Sequence, residues 1–408
     1  MHIFAEELLR EIASIGCDPG GGVTRLGFSP EDRKVRQLFR RMMLDCGLEV
    51  REDAFGNLFG RVAGKNNDLP AVATGSHLDT VPNGGNYDGV LGCVSGLAAL
   101  REIRKLGGCR HPLELIAFQI EESSRFACST MGSKLLAGSV GPDSLADRRD
   151  LYGASLPEVM AEAGLSFGDL RSVRLASGTY RAFVELHMDQ GPTLEEAGLP
   201  LGVITHIVGV RRARVYFSGL ASHAGGTRMA SRRDALVAAS EAVLALNEIA
   251  SSYRGKYSMV GTTGRLKVQP GAINVVPGSV EMQCELRGTD AGILNTAWNA
   301  YNSSLSDIAA KYGTPVRVAL TESTQPVTMD DGLQDTLRRV CKKCGVPYMD
   351  MASGAGHDCM NMAALAPSGM LFVRNRDGLS HHPNEFVRSS DIESGCRILC
   401  ETLVALGE

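Results

Sequence analysis

The sequence predicts an α/β protein in two parts. A discontinuous domain over 1–207 and 323–408 is expected on a mixed, mostly parallel sheet, with an α+β domain of ferredoxin-like order inserted over 208–322. Three observations carry this. Short apolar runs alternate with helical periodicity in the first half of the chain and again near its end. Chemically capable residues recur at, or just past, the C-terminal ends of those runs. The middle of the chain reads instead as strand, helix, strand, strand, helix, strand.

In order, Ala71-Val72-Ala73-Thr74 is a short strand that ends at Gly75-Ser76-His77. A helix over about 89–106 follows, with Val90, Val94, Leu97, Leu100 and Ile103 at three- and four-residue spacing. A strand over 113–118 ends at Gln119-Ile120-Glu121-Glu122, and one over 180–186 ends at His187. The inserted part has strands at 214–219, 263–269, 279–287 and 316–320, and helices at 233–251 and 291–311. A last strand, 370–373, stops shortly before a glycine-containing loop and His381. In open α/β sheets ligands bind at the C-terminal edge of the strands. His77, Glu121, Glu122, His187 and His381 are therefore expected to converge.

Composition narrows the function classes. The chain has 408 residues, 44% hydrophobic and 22% charged, which excludes a mostly disordered chain or a coiled coil. A net charge of −4 with no lysine or arginine block argues against nucleic acid as a partner. The uncharged run 89–100 is far short of the roughly 18–20 apolar residues of a membrane span. Glu6 and Glu7 stand where a secretory leader would carry its apolar core. Eleven cysteines, an odd number scattered along the chain, read as reduced thiols of a cytoplasmic protein. The lone Cys341-Lys342-Lys343-Cys344 has no second pair to make a zinc site.

His77 offers a metal-ligand nitrogen, and Asp79, two residues on, is placed to orient its ring. Asp88 sits on a glycine-flanked turn at a predicted helix start. Taken alone these residues could be a polar loop. Glu121-Glu122 reads either as a solvated strand end or as a divided pair, one carboxylate a ligand and the other a general base. Together His77, Asp88, Glu122, His187 and His381 exceed the three protein ligands of one tetrahedral catalytic zinc. They suit two metals about 3.5–4 Å apart that share a carboxylate. His382 directly follows His381, so the last ligand is open by one position.

The chain resembles the M20-type metallopeptidase superfamily in its amidase, hydantoinase and carbamoylase branch. The resemblance rests on Gly22-Val23-Thr24-Arg25-Leu26, Ala54-Phe55-Gly56-Asn57-Leu58, Gly75-Ser76-His77-Leu78-Asp79, Asn83-Gly84-Gly85-Asn86-Tyr87-Asp88-Gly89 and Glu121-Glu122-Ser123-Ser124-Arg125-Phe126. It continues through Glu185-Leu186-His187-Met188-Asp189-Gln190-Gly191-Pro192, Ala272-Ile273-Asn274-Val275-Val276-Pro277, Ser353-Gly354-Ala355-Gly356-His357-Asp358 and Asp377-Gly378-Leu379-Ser380-His381. It implies a metal-dependent hydrolase domain with two divalent ions, zinc first and manganese, cobalt or nickel as alternatives. Asp88 would bridge them, His77 and His187 would complete one site, and Glu122 and His381 the other. Glu121 would be the general base. Gln190 and Gly356 would meet the substrate; His223 would steady the oxyanion; Asn274 and Arg287 would hold a substrate carboxylate. The inserted domain would act as a lid and pair two chains into a homodimer.

That resemblance implies hydrolysis of a linear C–N bond in a small carboxylate, foremost an N-carbamoyl-L-amino acid. Allantoate, β-ureidopropionate and N-acyl amino acids are the alternatives. Ser123, Asp189, Gly226, Arg228 and His382 depart from the branch's usual residues without removing a ligand, and they leave the substrate open. Two rivals are weaker. Gly164-Leu165-Ser166-Phe167-Gly168 fits a nucleophile motif but follows a helix-like stretch, not a buried strand. A non-catalytic binding protein would be expected to have lost a ligand or the base, and neither is missing.

Overall fold

The computed structural model describes residues 1–253 and 259–408. It divides into two compact units, Met1–Thr205 with Thr328–Glu408, and His206–Val327. The sequence places these junctions at 207/208 and 322/323.

Apolar runs build the centre of the first unit. Every residue of Ala71–His77, Leu113–Phe118 and Ser368–Val373 is buried, as expected of strands covered on both faces. Among the described residues the sheet runs Glu49–Glu52, Leu58–Val62, Leu113–Phe118, Ala71–His77, Tyr180–Met188, Ser368–Val373, Leu201–Ile207, Val327–Thr328, with Tyr348–Ser353 also on Leu201–Ile207. Leu113–Phe118, Ala71–His77, Tyr180–Met188 and Ser368–Val373 are mutually parallel. The register sets His77 beside Phe118, and His187 beside Phe372.

The expectation of a mostly parallel sheet holds only for these central strands. Glu49–Glu52 on Leu58–Val62, Leu58–Val62 on Leu113–Phe118, and Leu201–Ile207 on Ser368–Val373 are antiparallel. For Glu49–Glu52 and Leu58–Val62 the reason is connection length. The 53–57 turn is closed by the Asp53 carboxylate, which accepts from the Phe55 and Asn57 backbone N–H groups. It is too short for the crossover of about a dozen residues that a parallel pair requires.

The helix Val90–Lys105 is buried along nearly its whole length and packs on the sheet and on His2–Ala13 and Ser389–Gly407. It starts from Gly89 at φ 67°, where a side chain would also overlap the His77 ring. Only glycine lets this helix begin against a histidine at the sheet edge.

In the second unit the strands run Val316–Ser323, Gly209–Ser218, Ser279–Gly288, Met259–Gln269, all antiparallel. The third strand in chain order lies between the first and second, the split order of a ferredoxin-like sheet. Burial alternates strictly along Ser279–Gly288, so one face is covered. Ala235–Ser252 and Ala291–Tyr312 cover it, with Val215, Phe217, Met282, Leu246 and Tyr301 in the core. Ala235–Ser252 is long and apolar enough to cross a membrane by length and composition, but its alanine-rich face, with Leu246, is buried in this core.

Candidate metal centre

Each central parallel strand delivers a functional group to its C-terminal edge. His77 is the last residue of Ala71–His77, and His187 is the penultimate residue of Tyr180–Met188. Glu121 and Glu122 follow Leu113–Phe118, and His381 lies on the loop after Ser368–Val373. Asp88 precedes the Val90–Lys105 helix.

The edge of Leu113–Phe118 is braced from beneath. Arg36, on the helix Pro30–Asp45, donates to the Gly56 and Ala117 carbonyls at 3.0 and 3.3 Å and to the Phe118 carbonyl. Its Nε pairs with the buried Asp32 at 3.2 Å, and Asp32 also accepts from the Gln119 amide at 2.9 Å. Ile120 then takes φ 51°, and the chain reverses. Glu121 and Glu122 consequently reach the same cluster although they are adjacent: Glu121 Oε2 is 3.9 Å from His77 Nε2, and Glu122 Oε1 is 3.2 Å from His381 Nε2.

Asp88 lies at the centre. Its Oδ1 is 3.1 Å from His187 Nε2 and 3.5 Å from His77 Nε2, while its Oδ2 is 3.4 Å from His381 Nε2. The ligand atoms of His77, Asp88 and His187 lie within 4.8 Å of one another, as do those of Asp88, Glu122 and His381. Thus one oxygen of one buried carboxylate faces each half of the cluster. His77 Nδ1 and His187 Nδ1 each lie 3.0 Å from a backbone carbonyl, of Asp79 and of Met188. A proton on Nδ1 leaves the Nε2 lone pairs directed at Asp88. At 381/382 both side chains are exposed, but His381 Nε2 is turned to Asp88 and Glu122 while His382 Nδ1 accepts the Asn384 N–H.

The electrostatics are those of a ligand cluster. Burial alone would raise the Asp88 carboxyl, but His187, His381 and His77 hold it well below the usual carboxylate range. Asp88 and Glu122 push the His381 imidazole up to about 11. Burial drives the Glu121 carboxyl well above its ordinary value, with Glu122 and Asp358 adding to the rise and His77 opposing it. The donor set, imidazole nitrogens and carboxylate oxygens around a shared carboxylate, fits two divalent cations of borderline softness. Cations on the imidazole nitrogens would replace protons there.

Asp79 touches the His77 ring twice. Its carboxylate is beside the ring, as the sequence leads one to expect. It lies 3.6 Å from Nδ1, but the nearer partner of the ring is the Asp79 backbone carbonyl, because two residues of chain bring that group round first. The carboxylate itself accepts the backbone N–H groups of Glu121 and Glu122 at 3.2 and 3.0 Å. It therefore sets the pair of glutamates as well as the histidine.

The remaining expected residues are placed as follows. Gln190 donates to Asp88 Oδ2 at 2.8 Å. Gly356 lies in the loop between Tyr348–Ser353 and Asp358–Met362. In the second unit, Ser222–His223 pairs with Val275–Val276, which brings the Asn274 carbonyl to the Ala224 N–H at 2.9 Å. His223 Nδ1 accepts from the Gly225 and Gly226 N–H groups, each at 3.1 Å, so its ring proton belongs on Nε2. Arg287 Nε is bonded to Glu285 at 2.8 Å. Ser166 is exposed just after the Leu156–Glu162 helix, with no strand leading into it as a nucleophile elbow requires.

Sequence reasoning missed a second layer. Ser380 donates to Asp88 Oδ2 at 2.9 Å. Glu185, wholly buried, accepts from Ser76 and from the Cys359 N–H, both at 2.8 Å. The His357 ring stands edge-on to His187 at 4.7 Å between centroids. Glu385 accepts the backbone N–H groups of Tyr87 and Asp88. Glu185, His357 and Ser380 stand inside motifs that the sequence already marks, without a role of their own there; Glu385 stands in none.

Comparison with known proteins gives a consistent set. The profile of peptidase family M20/M25/M40 matches residues 73–405. An N-carbamoyl-L-amino acid amidohydrolase of Geobacillus stearothermophilus is 39% identical over 401 residues, covering 98% of this chain and 97% of that protein. An allantoate amidohydrolase of Escherichia coli (strain K12) is 35% identical over 402 residues, covering 98% and 97%. The crystal structure of an amidase of the hydantoinase/carbamoylase family from Burkholderia multivorans superposes with a TM-score of 0.88 at 33% identity, covering 99% of this chain and 98% of that one.

Proposed function

This chain belongs to peptidase family M20/M25/M40 and is an amidohydrolase acting on non-peptide C–N bonds, and we propose that its substrate is an N-carbamoyl-L-amino acid. The observation that carries the reading is the pair of three-residue clusters that meet at Asp88 with Glu121 beside them. Two divalent ions held there, zinc first and manganese, cobalt or nickel as alternatives, would lower the pKa of water and polarise the scissile carbonyl.

The chain's own groups do the rest. Glu121, buried and of raised proton affinity, takes the proton that water loses and delivers it to the departing nitrogen. Water adds across the C–N bond, and the products are the amino acid and carbamate, which decomposes to ammonia and carbon dioxide. His223 carries its ring proton on Nε2 and offers it to the oxygen on which charge develops. Asn274 and Arg287 hold the substrate carboxylate, the Arg287 guanidinium being oriented by Glu285. Gln190 and Gly356 complete the substrate contacts.

The substrate is tested by a panel on metal-reconstituted protein, with ammonia and free amine followed together. N-carbamoyl-L-amino acids are expected to give both in equal amounts with the highest kcat/KM. Faster turnover of allantoate, β-ureidopropionate or ureidoglycolate would reassign the substrate within the branch. Amine without ammonia would mean deacylation, and inactivity without bound metal would favour a binding protein.

We further assign the inserted domain, 208–322, the role of lid and pairing surface. Its helix Ala235–Ser252 exposes Val237 and Leu244, and its edge strand Met259–Gln269 exposes Val260 and Leu266. Light scattering is expected to give twice the 43.5 kDa chain mass, and a fully active monomer would refute the pairing. The cysteines among the described residues are all free, which supports a reducing compartment such as the cytoplasm.

A further inference from the structure

Glu385 was not anticipated from the sequence, and its surroundings are unusual for a carboxylate. It is 5% exposed. Its Oε1 accepts two successive backbone N–H groups, of Tyr87 at 2.8 Å and of Asp88 at 2.9 Å. Its Oε2 is buried without a hydrogen bond among the described residues. Burying such a group is costly, so its retention asks for a reason beyond its own stability. Gly85 makes room for it, since a side chain there would overlap the Glu385 carboxyl.

We propose that Glu385 is a positioning residue that aims the shared carboxylate of Asp88 and thereby makes the two halves of the metal cluster form together. Two N–H groups held by one oxygen orient the peptide planes on which the Asp88 side chain stands. That orientation sends Oδ1 to His187 and His77, and Oδ2 to His381. Glu385 lies four residues beyond His381, on the same loop. His381 itself takes φ 56°, a left-handed conformation that a non-glycine residue keeps only when its surroundings hold it. The next residue adds an apolar clasp: Phe386 packs edge-on against Tyr87 at 5.9 Å. The loop that carries His381 is therefore fastened to the loop that carries Asp88 at two successive residues. Asp79 does the same on the other side, holding the N–H groups of Glu121 and Glu122 from the loop of His77.

The inference rests on the metal reading above, and the experiment separates the two. Full-length wild type, Glu385→Gln, Glu385→Asp and Glu385→Ala are stripped of metal and titrated with Zn²⁺ against a competing chelator. Co²⁺ absorption spectra report coordination, and melting of the stripped forms reports folding. Glutamine keeps an acceptor oxygen at the same reach, so Glu385→Gln is expected to hold zinc as wild type does and to give the same Co²⁺ spectrum. Aspartate keeps the charge but withdraws the oxygen by one methylene. Glu385→Asp is expected to lose roughly 10–100-fold in zinc affinity, the range typical of outer-layer partners, with an altered spectrum and little change in stripped-form melting. Should Glu385→Ala fail to fold, the Gln and Asp contrast still decides. Wild-type affinity in both variants, or the reverse order with Asp retained and Gln lost, would overturn the inference. A wild-type chain that takes up no divalent cation would overturn the metal reading itself.

Discussion

Glu121→Gln is expected to bind its metals normally and to turn substrate over roughly 10²–10⁴-fold more slowly, the usual contribution of a positioned acid–base group. The physical case is specific. Glu121 is 8% exposed at the C-terminal edge of a buried strand, and its proton affinity is raised by burial, by Glu122 and by Asp358. It is the member of the adjacent pair that stands outside both ligand clusters. Glutamine preserves volume and the backbone bond to Asp79 but cannot carry a proton between water and nitrogen. The variant is checked by steady-state kinetics together with metal content by elemental analysis. Loss of kcat with KM and metal unchanged is the expected pattern. Turnover within about threefold of wild type would remove Glu121 from the mechanism.

Asp88→Ala is expected to be more damaging, because it removes the oxygen that faces each half of the cluster. His77 and His187 then lack a carboxylate between them, and Glu122 and His381 lose their shared partner. Metal affinity should fall at both positions and activity should drop to background, a loss of at least the roughly 10²-fold seen for weaker outer-layer changes. His381→Ala is the control. It leaves His77, Asp88 and His187 intact and is expected to release one equivalent of metal while the other stays. Calorimetric titration of the stripped proteins distinguishes the outcomes. If Asp88→Ala retained the full metal complement, the shared-carboxylate geometry would have no functional meaning.

That His77, His187 and the Glu121-Glu122 pair would meet was legible because they stand at the ends of apolar runs, whereas Asp88 was marked only by its glycine-flanked turn. His77 closes Ala71–His77, Glu121 and Glu122 follow Leu113–Phe118, and His187 nearly closes Tyr180–Met188. Period and burial are local properties, so they survive in the sequence as hydrophobic patterning. The antiparallel flanks were not legible, because nothing in a strand's own residues says which way its neighbour runs. Glu385 was invisible for a related reason. It acts on backbone N–H groups of Tyr87 and Asp88, which every residue possesses, so no side-chain type marks the partner. Arg36, spent on the carbonyls of Gly56, Ala117 and Phe118, was hidden in the same way.

By itself the sequence determined the central apolar strands, the split order of the inserted unit and the candidate groups that would gather, the last of them left between His381 and His382, since these follow from spacing and residue chemistry. Only the tertiary structure decided that Asp88 turns one oxygen to each half, that His381 and not His382 faces the cluster, and that Asp79 and Glu385 hold the loops between them. Those outcomes depend on strand register and on backbone hydrogen bonds between segments far apart in the chain, quantities that exist only once the sheet has closed.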